Sequence, residues 1–115
     1  MKIVNLDNVA SVPVTMAGAK EVHKQVPISS ADGAPTFSFR VFTIEPGGYT
    51  PYHTHESEHV NYIIAGTGAI VSEDGEEHPI KADEFAMVLP YEKHRYKNAG
   101  DVPFVMICAV PTAFE

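Results

Sequence analysis

Short apolar runs separated by turn residues fill most of the sequence, and helical periodicity is almost absent. The runs recur about every eight to twelve positions, which is typical of a sandwich or barrel of antiparallel strands. Asp74-Gly75 is a strong hairpin signal, and 46–48 and 66–68 are further turns. We predict strands at residues 22–28, 36–45, 59–65, 69–73, 77–81, 84–90, 94–99 and 103–110. The pattern predicts an all-β fold, a closed or nearly closed antiparallel jelly-roll barrel.

The chain length bounds the size of this barrel. A sequence of 115 residues is long enough for one hydrophobic core. We predict a single domain over 1–115, in which 1–35 form an N-terminal strand or arm region and 36–111 form the barrel core. Pro79 cannot donate a hydrogen bond within a sheet, so the strand that contains it is expected at an edge.

The charge of the chain narrows the class of partner. The formal net charge is −7, and lysine and arginine do not cluster. This argues against binding to nucleic acid or to an anionic membrane surface. No apolar run reaches the ~20 residues of a membrane helix, and the N-terminus does not resemble a signal peptide. The single cysteine, Cys108, excludes an internal disulfide, and we expect a cytoplasmic protein.

Three of the six histidines lie close together in the stretch PYHTHESEH. His53 and His55 are two residues apart and face the same way in extended backbone, and His59 has the same parity. His94 opens a later predicted strand that could lie opposite them. Neutral imidazole is a common ligand of transition metals. We therefore predict that these four histidines bind a metal, the alternative being that HTHESEH is a polar surface turn.

The spacing around the first three histidines resembles the first motif of the cupins. That motif is glycine, five residues, His-x-His, three or four residues, glutamate, six residues and glycine. Gly47, His53, His55 and Gly66 match its spacing, and His59 stands in the glutamate position. The substitution of histidine for glutamate makes the chain most similar to small single-domain cupins with four histidine ligands, which share the run EPGG before the motif.

The second cupin motif is glycine, five residues, proline, a short gap that contains a glycine, histidine, three residues and asparagine. It is matched more loosely. Pro90 is followed by His94 and, three residues later, by Asn98. Glu84 replaces the opening glycine, the turn lacks its usual glycine, and the gap is one residue shorter. The resemblance covers roughly 36–111. It implies the cupin double-stranded β-helix, which is an antiparallel jelly-roll barrel, and a metal site at the four histidines.

The resemblance leaves the reaction open, because cupins include dioxygenases, decarboxylases, isomerases, cyclases, lyases and binding modules. Four neutral imidazoles would leave a divalent ion (Mn, Fe, Zn, Ni or Cu) with its full charge, which favours anionic ligands. They would also leave two open coordination positions, where dioxygen could bind beside the substrate. We expect an enzyme acting on a small anionic or oxygenated organic molecule, with oxygenase chemistry placed ahead of isomerase or decarboxylase chemistry. The alternatives are a non-catalytic sugar-binding or small-acid-binding cupin and a structural metal site. Metal should be lost as pH falls toward and below ~6.

Other side chains near the motif are candidates for catalysis. Arg40, within the apolar strand FSFRVF, could bind a substrate carboxylate, or it could be a charge that protects a strand edge. Glu58 could act as a base or orient an imidazole, or it could be a solvated loop residue. Cys108 is expected to be buried and inert. His23 and His78 are excluded from the site.

A small barrel has strand edges that need protection. The N-terminal segment could supply a strand to a neighbouring subunit, which would cover an edge and enlarge the core. This argument and the resemblance together predict a homodimer, with a small-molecule ligand or substrate as its other partner.

Overall fold

The computed structural model describes residues 1–115 as a curled antiparallel sheet of nine strands. The strands are β1 (Val12–Pro13), β2 (Lys20–Ile28), β3 (Phe37–Tyr49), β4 (His59–Ala65), β5 (Thr67–Val71), β6 (Glu77–Lys81), β7 (Phe85–Val88), β8 (Arg95–Lys97) and β9 (Phe104–Pro111). Three short 3-10 helices lie at Leu6–Asn8, Ser30–Asp32 and Thr112–Phe114. The predicted all-β antiparallel jelly-roll class is confirmed. None of the three 3-10 helices is long and apolar enough to cross a bilayer.

The long strand β3 lies in the middle of the strand order and connects the two halves of the curled sheet. The strand order is β6-β5-β8-β3-β9-β4-β7, and β2 lies along β3 with β1 at its side. The first part of β3 pairs with β9, whereas Tyr49 at its end pairs with Lys97 of β8. Gly47 has a φ of +82°, a left-handed conformation that glycine adopts without a steric penalty. The predicted turn at 46–48 is therefore a bend within β3, and the prediction that the strand ends there was wrong.

Turns elsewhere divide the strands at or near the positions that the sequence predicts. β5 and β6 pair in register across the turn that contains Asp74 and Gly75, where Gly75 has a φ of +84°. Gly66, with a φ of +82°, alone separates β4 from β5, so the predicted turn at 66–68 was too long and β5 begins at Thr67 instead of residue 69. The strand that contains Pro79 is β6, and it lies at one end of the strand order. The expected edge position of this strand is confirmed.

The core lies on the inner face of the sheet. Along β9 the side chains alternate between buried and half-buried from Phe104 to Pro111. A Cβ placed on Gly68 would come within 2.5 Å of the Phe104 ring, so this glycine leaves the space that the ring fills. The clustered buried apolar side chains are Val22, Ile44, Ile63, Ile80, Tyr96, Phe104 and Met106. Three of them also line a cavity beside the histidines, so the core forms the inner wall of the candidate site.

Candidate metal centre

Two segments of the chain bring the histidines together. His53 and His55 lie between β3 and β4, His59 is the first residue of β4, and His94 immediately precedes β8. His53 and His94 form an antiparallel bridge in which each backbone N–H donates to the other residue's carbonyl, at 3.2 and 3.1 Å. The bridge fixes the late histidine opposite the His-x-His segment, as the strand pattern predicted.

Three of the four histidines form a compact cluster. The ligand atoms of His53, His55 and His94 all lie within 4.8 Å of one another. The ring of His55 is nearly perpendicular to those of its two neighbours, at 89° to His53 and 82° to His94. Three imidazoles approach one another here from different directions, which is the arrangement that binding to a single ion requires.

Backbone carbonyls determine which nitrogen is protonated in His55 and His94. Nδ1 of His55 lies 2.8 Å from the carbonyl oxygen of Ser57, and Nδ1 of His94 lies 2.9 Å from that of Glu92. Because a carbonyl can only accept, Nδ1 is the donor in each ring, and Nε2 of the neutral imidazole carries a lone pair. The two Nε2 atoms are 3.4 Å apart, and neither can donate to the other. Their lone pairs repel unless a cation lies between them.

The separation of these two nitrogens fits a shared metal ion. Two nitrogen ligands at ~2.0–2.1 Å from one ion lie about 2.9 Å apart at a right angle and about 3.4 Å apart at the tetrahedral angle. Metal-binding histidines usually hold their other ring nitrogen against a carboxylate or a backbone carbonyl, as His55 and His94 do. The His55–His94 pair fits a divalent transition metal in ligand type, tautomer and spacing, and His53 adds a third imidazole within 4.8 Å.

His59 lies beside this cluster in a different orientation. Its ring stacks on that of His55, with centroids 3.6 Å apart and planes 12° from parallel. Its Nδ1 faces the sulfur of Cys108 at 3.6 Å. A metal lies close to the plane of each imidazole that binds it, and two stacked planes share no such point. His59 would have to rotate to become a fourth ligand, so the four-histidine set stays a prediction.

Burial favours the neutral form of these imidazoles. Desolvation is the main cause that lowers the pKa of His53 and His94 below the ordinary 6.5. Desolvation, helped by the nearby His55 and Arg40, lowers the pKa of His59 to about 3. The neutral ring is the form that binds metal, so protons do not compete for His53 and His94 at neutral pH, and His59 is neutral as well.

A cavity of about 160 Å³ opens beside the histidines. Its wall includes His53, His59 and His94, and none of its 15 lining residues is aspartate or glutamate. The positive residues in the wall are Lys24 and Arg40. Ligand pockets for drug-sized molecules usually measure about 300–1,000 Å³, so this cavity suits a compact molecule.

The two candidate catalytic residues lie in different environments. Arg40 lines the cavity, and its Nη2 donates to the sulfur of the buried Cys108 at 3.1 Å. Its Nε is buried without a hydrogen-bond partner, and no carboxylate forms an ion pair with it. Glu58 is exposed and is not part of the cavity wall. Neither His23 nor His78 lines the cavity.

A buried polar pair also lines the cavity. The hydroxyl of Tyr96 donates to Oδ1 of Asn61 at 2.8 Å, and Nδ2 of Asn61 donates to the carbonyl of Ile107 at 3.4 Å. Burial raises the pKa of Tyr96, so its hydroxyl remains a donor. Asn61 was not singled out from the sequence as a site residue. The signal for it was the two-residue alternation along β4, which places it on the same face as His59.

A curled antiparallel β-sheet with a histidine cluster at an internal cavity defines the class of this protein. Residues 40–110 match the Cupin domain family, Cupin_2, and the chain belongs to this family. The predicted resemblance to the cupins is thereby confirmed.

Curated relatives of the chain are larger enzymes. The chain is 29% identical over 99 residues to gentisate 1,2 dioxygenase 1 of Aquipseudomonas alcaligenes, an alignment that covers 79% of this chain and 28% of that protein. It is 32% identical over 79 residues to L-ectoine synthase of Mycolicibacterium gilvum, which covers 68% of this chain and 59% of that protein. The chain therefore spans less than two thirds of the length of either relative.

Solved structures extend the likeness to nearly the whole chain. The polyketide cyclase RemF from Streptomyces resistomycificus superposes with a TM-score of 0.92 at 28% identity, covering 97% of this chain and 80% of that one. Ectoine synthase from P. lautus superposes with a TM-score of 0.80 at 21% identity, covering 97% of this chain and 78% of that one. The second likeness shows a shared fold alone.

Proposed function

We propose that this cupin is a metal-dependent enzyme acting on a small anionic or oxygenated organic molecule. The observation that carries the proposal is that Nε2 of His55 and Nε2 of His94, each with a lone pair, lie 3.4 Å apart. They lie beside a cavity whose wall contains an arginine without an acidic partner. His53, His55 and His94 would hold a divalent transition metal, and His59 would join them after rotation. The metal, when bound, would supply Lewis acidity or, if redox-active, activation of dioxygen.

The chain's own residues would bind and orient the substrate. The Arg40 guanidinium would pair with an anionic oxygen of the substrate in two-pronged fashion. Tyr96 would keep its proton and, with Asn61, form a polar part of an otherwise largely apolar wall. The cavity favours catalysis over a purely structural metal, because structural sites are normally closed by protein ligands. We favour oxygenase chemistry, since one relative is a dioxygenase and a three- or four-histidine set leaves room for at least two further ligands on a six-coordinate ion.

Metal analysis and ligand binding test this proposal together. Protein purified without a chelator or a histidine tag is expected to contain about one redox-active transition metal per chain. Small carboxylates and diketones should raise its melting temperature, and one of them should support oxygen uptake. Chelator-treated protein is the matched control and should lose the response. Zinc-loaded protein that responds to none of these ligands would point instead to a structural site.

We also propose that the chain forms a homodimer through the outer face of β3, β9, β4 and β7. Cross-strand pairing places Phe39, Ala109, Val60 and Met87 in one row across these strands. The next row is Val41, Ile107, Tyr62 and Phe85, of which Val41 is already buried within the chain. Neither row contains a charged residue. The exposed large apolar residues on and beside this face are Phe37, Phe39, Val60, Ile64, Phe85, Met87 and Leu89.

The size and charge of this face favour a second copy as its partner. Seven large apolar side chains are exposed on and beside this face, and apolar side chains form the core of standard interfaces of ~800 Å² per partner. Two chains of net charge −7 repel each other, and an uncharged face is where they can meet at least cost. The N-terminal segment, which was expected to reach a neighbouring subunit, pairs through β2 with β3 of its own chain. The apolar face therefore supports the dimer in its place.

Met87→Glu is expected to weaken the dimer at least ~30-fold, because it puts like charges into an apolar face that the dimer desolvates. Met87 is 60% exposed in the chain, so the folded subunit tolerates the change. Sedimentation velocity over a concentration series measures the effect. Val102→Glu is the matched control, since Val102 is 52% exposed and lies outside the two rows. A monomeric wild-type protein, or a Met87→Glu variant with the wild-type dimer constant, would contradict the proposed interface.

A further inference from the structure

Lys24 and Arg40 place two positive side chains in the wall of the same cavity. Lys24 of β2 is the register partner of Phe42 on β3, and Arg40 lies two residues before Phe42 on that strand. Side chains two residues apart on a strand share a face, and all three residues line the cavity. The two cations are therefore neighbours on the inner face of adjacent strands.

Neither cation has an acidic partner. The chain has 15 acidic and eight basic residues, yet two of the basic residues line this cavity and none of the acidic ones does. Nε of Arg40 is buried and unpaired, and its Nη2 donates only to a thiol, which is a weak acceptor. A partly buried cation without a counter-charge is costly. The ion pairs of the chain are Lys2–Asp32 and Lys97–Glu77.

We propose that Lys24 and Arg40 form a subsite for a carboxylate of the ligand, separate from the group that binds at the histidines. This inference rests on the proposed function and narrows its substrate class to compact molecules with two anionic groups. One group would bind at the histidine cluster, and the distal carboxylate would lie between the ammonium and the guanidinium. The planar fork of arginine matches a carboxylate, and a cavity of about 160 Å³ limits the skeleton to a few carbon atoms.

Malate and 2-hydroxybutyrate are a matched pair of probes for this subsite. They share a 2-hydroxycarboxylate end and a four-carbon skeleton, and malate has a carboxylate where 2-hydroxybutyrate has a methyl group. Calorimetry on the metal-loaded protein should show malate binding at least about 10-fold more tightly, the size expected for charge-assisted hydrogen bonds. Lys24→Met should reduce this preference to less than about 3-fold, because it weakens malate binding more than 2-hydroxybutyrate binding.

Lys20→Met is the control, because Lys20 is exposed on the same strand and does not line the cavity. It should keep the wild-type preference, while Lys24→Gln should repeat the effect of Lys24→Met. Equal binding of the two acids by wild-type protein, or an unchanged preference in both Lys24 variants, would overturn the subsite. The melting temperature of each variant shows that it is folded.

Metal content measured on the same samples separates this inference from the proposed function. Metal-loaded protein that binds both acids alike refutes the subsite and leaves the metal proposal standing. If no preparation holds metal, the proposed function fails, and the subsite is tested on the metal-free protein. Malate should still bind there, and more weakly in Lys24→Met than in Lys20→Met. Equal malate binding by those two variants would refute the subsite in that case as well.

Discussion

His94→Ala is expected to abolish stoichiometric metal binding, with affinity falling at least about 100-fold. Groups that merely support a metal ligand are worth about 10–100-fold, and His94 would be a ligand itself. Its Nε2 faces that of His55 at 3.4 Å, and its backbone is bridged to His53. Removing the ring therefore removes one side of the candidate site. Metal content after dialysis and competition with a chelator of known affinity measure the loss.

His78→Ala is the matched control for this prediction. It removes an exposed imidazole whose Nε2 contacts the hydroxyl of Ser72, and it leaves the cluster untouched. Retention of metal by His94→Ala within about 3-fold of this control would refute the cluster as the metal site.

His59→Ala then tests the ligand number, since a rotated fourth ligand predicts a clear loss of affinity and a three-histidine site predicts little change.

The strands were predictable because their physical signals are local. Alternation of side chains, the Asp74-Gly75 turn and the edge preference of Pro79 each act over a few residues. The end of β3 was misjudged for the same reason. A glycine with positive φ either ends a strand or bends it, and the choice depends on the pairing of Tyr49 with β8, which is distant in sequence.

Of the four predicted ligands, the structure clusters His53, His55 and His94, and the full four-histidine set stays a prediction. Parity along an extended chain placed His53 and His55 on one face, and the strand that His94 opens was predicted to be able to lie opposite them. The orientation of His59 depends on its side-chain torsions, which stack it on His55 and turn its Nδ1 toward Cys108. No local signal reports those torsions. Lys24 was not predicted as a site residue, because its place in the cavity depends on how β2 pairs with β3.

Acid is expected to destabilise the metal-free protein between pH 6.5 and about 3. The folded state holds the pKa of His59 at about 3, against about 6.5 in an exposed ring. Below pH 6.5 the unfolded chain takes up a proton that the folded chain does not, so the free energy of unfolding falls as pH falls. The loss at His59 is of the order of 2–3 kcal/mol once solvent screening is allowed for. The lowered pKa values of His53 and His94 act in the same direction.

Urea unfolding of chelator-treated protein from about pH 7.5 to 4.5 measures this slope across the imidazole range. His59→Gln should flatten it, because glutamine cannot take up the proton in the unfolded chain, and His78→Gln should leave it unchanged. Stability that holds constant or rises on acidification would contradict the assignment.

The lowered pKa values also bear on metal binding, since protons compete for His53 and His94 only below the range of an exposed ring. The sequence predicts metal loss toward and below pH ~6. With the lowered pKa values, the metal should be lost at a lower pH than a site of exposed imidazoles would lose it. Full release of the metal already at about pH 6.5 would show that solvent reaches these rings freely.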